Sequence, residues 1–327
     1  MEISFELFSK LLVNSYKGDY SDIVKVISSY IKECFNPRIE IQRFNEKKMN
    51  LIAYWGKPTF LINAHLDTVP PTGKWLTNPT ELVKKGNKLF GLGTADTKGN
   101  IFALLSATKK VKPKNIVFLF SFDEESGGKE SGVTHFLDSE FSKGIKKALI
   151  LEPTELKIVN KHPGYYSFYL ISKSNSAHSS LKNRENSIVK MAKLIPNLEK
   201  YNITKIESGK RGNILPNECK MLISTRNYFT AENNLKTLQK NIPLDFGLIQ
   251  KTSLPPLLPQ KKLLGEVSFW SEAALFAQKK IESYLFGAGS IKQAHLTDEF
   301  IHIKQIEKAI KFFKKLIVKK EHHFEKI

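Results

Sequence analysis

Cysteine is nearly absent from this chain: Cys34 and Cys219 are the only two in 327 residues. Two thiols so far apart in sequence exclude a cysteine-rich zinc site and a dense disulfide framework. Long hydrophobic runs are missing too, so no membrane span is expected. The N-terminus has no basic segment followed by an apolar stretch. Instead Phe5, Phe8, Leu11 and Leu12 fall at helical spacing, which argues against a signal peptide. The expectation is a cytoplasmic protein with no membrane partner. Acidic residues are in deficit, 32 Asp and Glu against 51 Lys and Arg, for a formal charge of +19. Such a balance can be the footprint of a nucleic-acid binder. Here the lysines are dispersed in pairs such as Lys47-Lys48, Lys109-Lys110, Lys146-Lys147 and Lys279-Lys280, with no aromatic-interleaved stripe among them. They read as a solvated surface, and no nucleic-acid partner is expected. The tail Glu321-His322-His323-Phe324 reads as a frayed helix end rather than a ligand cluster.

The length suits two domains with a large core, and the 41% hydrophobic content is that of a globular protein. The first half alternates strand and helix signals. Phe60 to Ala64, Ile116 to Phe122 and Ala148 to Leu151 are nearly continuous apolar strands, with a buried helix from Ile101 to Val111. Such strands separated by helices predict an α/β fold with a mainly parallel sheet covered on both faces. The texture changes after about Lys161. Strands are expected at Tyr165 to Ser172, Lys205 to Ser208 and Cys219 to Arg226, with helices at Ile188 to Ile195 and Glu232 to Lys240. With room for one more strand, this order suits a smaller α+β, ferredoxin-like insert. The proline-rich Leu254-Pro255-Pro256-Leu257-Leu258-Pro259 marks a return linker. Beyond it come a helix at Ser271 to Gln278, a strand at Ser283 to Gly287 and a last helix from Ile303 to Val318. The expected domains are 1–160 with 263–327, and 161–262.

Metal-binding side chains follow these elements. His65 and Asp67 are two residues apart, on one face of an extended segment. His65 could bind a metal while Asp67 holds its other ring nitrogen, although the pair alone reads as structural. Asp96 follows Gly91-Leu92-Gly93, glycines that permit a tight turn before a helix. Its two oxygens could bridge two cations; alone, the segment reads as a helix cap. Asp123, Glu124 and Glu125 cluster at a strand end ahead of Ser126-Gly127-Gly128. Their mutual repulsion needs an offset, which metal cations would supply. One glutamate could bind metal while its neighbour takes a proton from water, or the three could form an exposed acidic turn. Glu152 before Pro153, and His295 near the C-terminus, complete two histidines and three carboxylates, a donor set for two divalent ions and metal-assisted hydrolysis.

In combination, His65-Leu66-Asp67-Thr68-Val69-Pro70, Leu89 to Gly99, Asp123-Glu124-Glu125, Glu152-Pro153-Thr154 and Gln293-Ala294-His295 resemble the dizinc aminoacylase and carboxypeptidase family, which includes acetylornithine deacetylases and succinyl-diaminopimelate desuccinylases. The resemblance runs over most of the chain. It implies a zinc-peptidase-like catalytic domain and makes the insert a lid and dimerisation domain. It implies that His65, Asp96 and Glu152 hold one metal and that Asp96, Glu125 and His295 hold the other, with Glu124 as general base and Asp67 as orienting acid. It also implies a cis peptide after Asp96 and a lid histidine, His178, that helps stabilise the oxyanion. Asn213, Arg226 and Gly289 fall in segments that match substrate-contact positions, where Arg226 would offer a planar fork to a carboxylate. The cofactors implied are two divalent ions, Zn²⁺ or else Co²⁺ or Mn²⁺.

Gly73-Lys74-Trp75 through Asn78-Pro79 and Gly289 to His295 most resemble the acetylornithine deacetylases. The expected reaction is hydrolysis of an N-acyl amino acid, N2-acetyl-L-ornithine giving ornithine and acetate. The alternatives are N-succinyl-diaminopimelate, acetylcitrulline or a dipeptide on the same scaffold, or a binding protein without catalysis.

Overall fold

The computed structural model describes residues 4–125, 130–182, 184–319 and 324; Ser126-Gly127-Gly128 and Glu321-His322-His323 lie outside them. The chain divides into two compact units: Met1–Lys161 with Leu258–Val267 and Ser271–Ile327, and His162–Leu257 with Ser268–Trp270.

The first unit opens with two helices, α1 (Glu6–Leu11) and α2 (Ser21–Lys32). In α2, Ile23, Val24, Ile27 and Ile31 form the buried stripe, at the spacing that puts one helix face on a core. A hairpin follows, β1 (Arg38–Arg43) and β2 (Met49–Trp55), and then β3 (Phe60–His65). After the small strands β4 (Val83–Lys85) and β5 (Lys88–Phe90), the chain turns into α3 (Lys98–Thr108). Helix α3 is buried almost all round, which explains its lack of a polar stripe. Strand β6 (Ile116–Ser121), helix α4 (Gly132–Leu137) and strand β7 (Lys147–Leu151) complete the first pass. Every residue of β3 and β6 is buried, as interior strands require.

The second unit contains β8 (Gly164–Lys173), β9 (Ala177–His178), α5 (Ser187–Leu194), β10 (Asn202–Ser208), β11 (Ile214–Leu215), β12 (Glu218–Asn227), α6 (Ala231–Asn241) and β13 (Gly247–Leu254). Its main sheet runs β10-β12-β8-β13, antiparallel throughout. With α5 and α6 in their chain positions, this is the split βαβ order of a ferredoxin-like unit. Tyr166, Phe168 and Leu170 of β8 and Cys219, Met221 and Ile223 of β12 alternate onto one sheet face and pack with Met191, Leu194 and Leu238 of the helices. Asn186 caps α5, accepting from the amides of Ile188 and Val189.

The chain rejoins the first unit through hydrogen bonds of Asn160 with the backbone of Lys262 and Leu264. It then forms α7 (Ala273–Gln278), β14 (Glu282–Phe286), β15 (Phe300–His302) and α8 (Ile303–Leu316). The large sheet runs β1-β2-β6-β3-β7-β14. Strands β6, β3, β7 and β14 are mutually parallel, while β2 joins β6 antiparallel and carries β1 at the edge. The sheet is mainly parallel, as expected, its four parallel strands extended by an antiparallel hairpin. No helix among the described residues is long and apolar enough to cross a membrane.

Phe118 lies in the middle of β6, with no exposed surface and its ring against Trp55. Phe118→Ala should destabilise the first unit by about 3–5 kcal/mol, since truncating a buried aromatic leaves a cavity. A denaturation midpoint that does not move would refute this placement of the core.

Candidate metal centre

Each of the four parallel strands leads into a segment that bears candidate ligands. His65 is the last residue of β3; Glu124 and Glu125 follow β6, Glu152 follows β7 and His295 lies in the segment after β14. This is where open α/β sheets place ligand sites, beyond the carboxyl ends of the strands. Asp96 comes from the turn that enters α3, with a cis peptide between Asp96 and Thr97.

Donor atoms of His65, Asp96 and Glu152 lie within 4.8 Å of one another, and so do those of Asp96, Glu125 and His295. Asp96 is common to both groups, and its two oxygens face different histidines. Oδ1 is 3.0 Å from His65 Nε2, and Oδ2 is 3.7 Å from His295 Nε2. His295 Nε2 is also 2.8 Å from Glu125 Oε1. Donors bound to one tetrahedral ion at about 2.0–2.1 Å lie about 3.3 Å apart, so these separations fit a shared cation. Asp96 is not the cap of α3: that position is Thr97, with no side-chain cap bond.

Charge balance supports the same fit. Burial, reinforced by the charge of adjacent Glu125, pushes the Glu124 carboxyl well above its ordinary range. Burial and the charge of Asp96 do the same to Glu152, and burial raises Glu125 despite its hydrogen bond from His295. Burial also opposes ionisation of Asp96, but the hydrogen bond and charge of His65 outweigh it and hold that carboxyl below its usual value. The Glu125 contact raises His295 to about 9. A cluster of carboxylates this hard to ionise, with imidazoles at hand, is what divalent cations relieve.

Asp67 departs in part from its expected role. The group nearest His65 Nδ1 is the Asp67 backbone carbonyl at 3.0 Å, with the carboxylate at 3.6 Å. The carboxylate oxygens accept from the amides of Glu124 at 3.2 Å and Glu125 at 2.8 Å. Asp67 thus orients His65 mainly through its backbone and holds the glutamate segment with its side chain. Asp123 is also explained differently. Its carboxylate accepts from the Tyr20 hydroxyl and the Lys48 ammonium, so a protein cation, not a metal, offsets this member of the acidic triplet.

The sequence reading gave no role to several residues that brace the site. Glu299 is buried and accepts from the amides of Gly93 at 2.8 Å, Ala95 at 2.7 Å and Asp96 at 3.1 Å. Burial raises its carboxyl to about 7. Glu272, buried at the start of α7, accepts from Ser121 Oγ at 3.1 Å, and burial raises it to about 7 as well. Asn100 clamps the backbone of Ala288, accepting at 2.7 Å and donating at 3.0 Å. The only available signal for Glu299 was an acid four residues after His295, and nothing local tells such an acid from a surface one.

Gly289 is buried with a φ of +93°, and a Cβ there would crowd Ala95 of the Asp96 turn. In the second unit, His178 and Asn213 come together: β9 pairs with β11, and the amide of Ser179 donates to the Asn213 carbonyl at 3.0 Å. His178 is exposed, its Nδ1 2.7 Å from Ser180 Oγ. Arg226 is exposed with its guanidinium 4.9 Å from the Tyr165 ring centre, and it has no carboxylate partner among the described residues.

Residues 61–319 match the sequence profile of Peptidase family M20/M25/M40. The chain belongs to this family. This M20 chain is 29% identical to an acetylornithine deacetylase of Buchnera aphidicola, over 90% of each chain. It is 26% identical to a probable carboxypeptidase of Aspergillus flavus, over 83% of this chain and 78% of the relative. Among solved structures, an M20 family metallo-carboxypeptidase from Sulfolobus solfataricus shares its fold with a TM-score of 0.77 at 15% identity, covering 95% and 96% of the two chains. The protein is accordingly an amide-hydrolysing enzyme of a metallohydrolase family.

Asp96 is the one residue common to both donor groups. Asp96→Ala should therefore abolish uptake of a pair of ions, whereas Glu152→Ala should leave the Asp96, Glu125 and His295 group able to hold one. Metal analysis after dialysis against Zn²⁺ decides between them, and equal loss in the two variants would sink this division of ligands.

Proposed function

We propose that this enzyme removes the acyl group from an N-acyl amino acid, with N2-acetyl-L-ornithine as the favoured substrate and ornithine and acetate as products. The observation that carries the reading is a donor set for two ions with one glutamate to spare. Glu124 has a carboxylate oxygen within 4.8 Å of donor atoms on His65 and Glu125, a third possible donor group, but His65 and Glu125 each belong to one of the other two, so on this reading two ions are held without Glu124. His65, Asp96 and Glu152 would hold one ion, and Asp96, Glu125 and His295 the other. Zn²⁺ is the simplest choice, and Co²⁺ or Mn²⁺ suit the same nitrogen and oxygen donors. When bound, the pair supplies Lewis-acid polarisation of the amide carbonyl and a water acidified towards neutrality.

The protein's own part follows from Glu124. Its carboxylate takes the proton of the attacking water and later delivers it to the leaving amine nitrogen. Burial beside Glu125 raises the basicity of Glu124 in the direction a general base near neutrality requires. Asp67 keeps Glu124 and its neighbour in place through their amides. In this reading His178 donates to the oxyanion, Arg226 pairs with the substrate carboxylate, and Asn213 and Gly289 line the substrate's path. The second unit would act as lid and homodimer contact, and the enzyme would be cytoplasmic. The deacetylase relative at 29% identity supports the choice of substrate. The probable carboxypeptidase at 26% supports a second reading, in which the same centre cleaves a C-terminal peptide bond.

Turnover of N2-acetyl-ornithine, N-succinyl-diaminopimelate, acetylcitrulline and a set of dipeptides separates these readings. The favoured one requires the highest kcat/KM on acetyl-ornithine. In Glu124→Gln, metal content should persist while kcat falls by about 10²–10⁴-fold; wild-type turnover would remove Glu124 from its role. His178→Ala should lose turnover with its metal retained, and loss of metal in that variant would show the residue to be misassigned.

A further inference from the structure

We infer that Glu299 is a positioning residue that ties the Asp96 turn to the His295 segment, and that it sets the affinity of the ion held by Asp96, Glu125 and His295. The inference rests on the two-ion reading above and adds a residue to it. Glu299 takes four N–H groups from a stretch of six residues. Its backbone carbonyl accepts from Gly91 at 3.0 Å, and its carboxylate accepts from Gly93, Ala95 and Asp96. Only 3% of its surface is exposed, so neither the carboxylate nor those amides have ready recourse to water. The grip continues a ladder: β15 pairs with β5, Phe300 opposite Phe90, and Glu299 extends that contact to the residue before the cis peptide.

The segment between His295 and Glu299 is fixed at two more points. Thr297 Oγ1 donates to the Thr72 carbonyl at 2.9 Å, and Asp298 Oδ1 accepts from the Leu76 amide at 2.8 Å. His295 itself has a φ of +60°, a conformation that its neighbours must enforce. The other ligands of the first group are anchored without Glu299. His65 is held by Asp67, and Glu152 directly follows β7, with its amide donating to the Phe286 carbonyl. Loosening Glu299 should therefore cost the His295 group more than the Glu152 group.

The test is a two-site Zn²⁺ titration of the metal-free protein. Wild type should take up two ions. In Glu299→Gln the amide group can accept at only one atom and turns an N–H₂ toward backbone donors, so the ion that keeps His65 and Glu152 should lose little affinity, since it shares only Asp96 with the loosened turn. The other should bind about 10–100-fold more weakly, the usual cost of losing a group that orients a ligand. Phe118→Ala serves as the control for destabilisation and should leave the ratio of the two affinities unchanged. Wild-type affinities in Glu299→Gln, or a matched fall at both sites, would overturn the role of Glu299 and leave the two-ion reading standing. Fewer than two ions on the wild type would overturn both. The metal-free wild type gives a check that needs no variant. The amides of Gly93, Ala95 and Asp96 should resist hydrogen exchange before any metal is added, and free exchange there would refute the grip.

Discussion

Carboxylates repel one another, and this fold buries a group of them at one end of a sheet. Water would ordinarily dissipate that repulsion, but at the ends of interior strands it is scarce, and burial raises the cost of every negative charge. The positions are held together by backbone contacts. His65 ends β3 and Glu152 directly follows β7, while Asp67 holds the Glu124 and Glu125 amides and Glu299 those of the Asp96 turn. The unfavourable electrostatics are thus imposed by backbone hydrogen bonds, and the site stores a demand for positive charge.

How each acid meets that demand separates ligands from braces. Asp67 is satisfied by two backbone amides, Asp123 by Lys48 and Tyr20, and Glu299 by three amides of the Asp96 turn. Each has donors from the chain itself. Glu124 and Glu152 are left with carboxyls pushed well upward, and among the described residues the side chains of Asp96 and Glu125 meet imidazoles. The acids met by donors of the chain brace the scaffold, and those of the other group are the candidate ligands.

The same distinction explains what could be read from the sequence. Apolar runs ending in His65, before Glu124 and before Glu152 were visible as strands with acids at their tips, because burial on both faces leaves a continuous hydrophobic signature. The insert showed itself through period-2 strands and helical spacing at Ile188 to Ile195, realised as α5 from Ser187 to Leu194. The antiparallel hairpin did not: β1 reads Arg-Ile-Glu-Ile-Gln-Arg, with charges that a solvated edge tolerates and that conceal its pairing. Nor did the destinations of Asp67, Asp123 and Glu299. Each is settled by a partner 57 to 206 residues away, and a local pattern carries no record of such contacts.

On the proposed function, substrate choice falls under a different constraint from the chemistry. The carboxylate donors are buried or half-buried, where a change in one leaves charge uncompensated. His178, Asn213 and Arg226 sit instead on a separately packed unit, all three exposed, where a substitution alters a side chain without burying a charge. Exposed polar positions typically tolerate replacement at little cost in stability. On the proposed function, the donor set would fix how the amide is cleaved, while His178, Asn213 and Arg226 could vary with the amide that is bound; relatives named as a deacetylase and as a probable carboxypeptidase are what such a division of labour would produce.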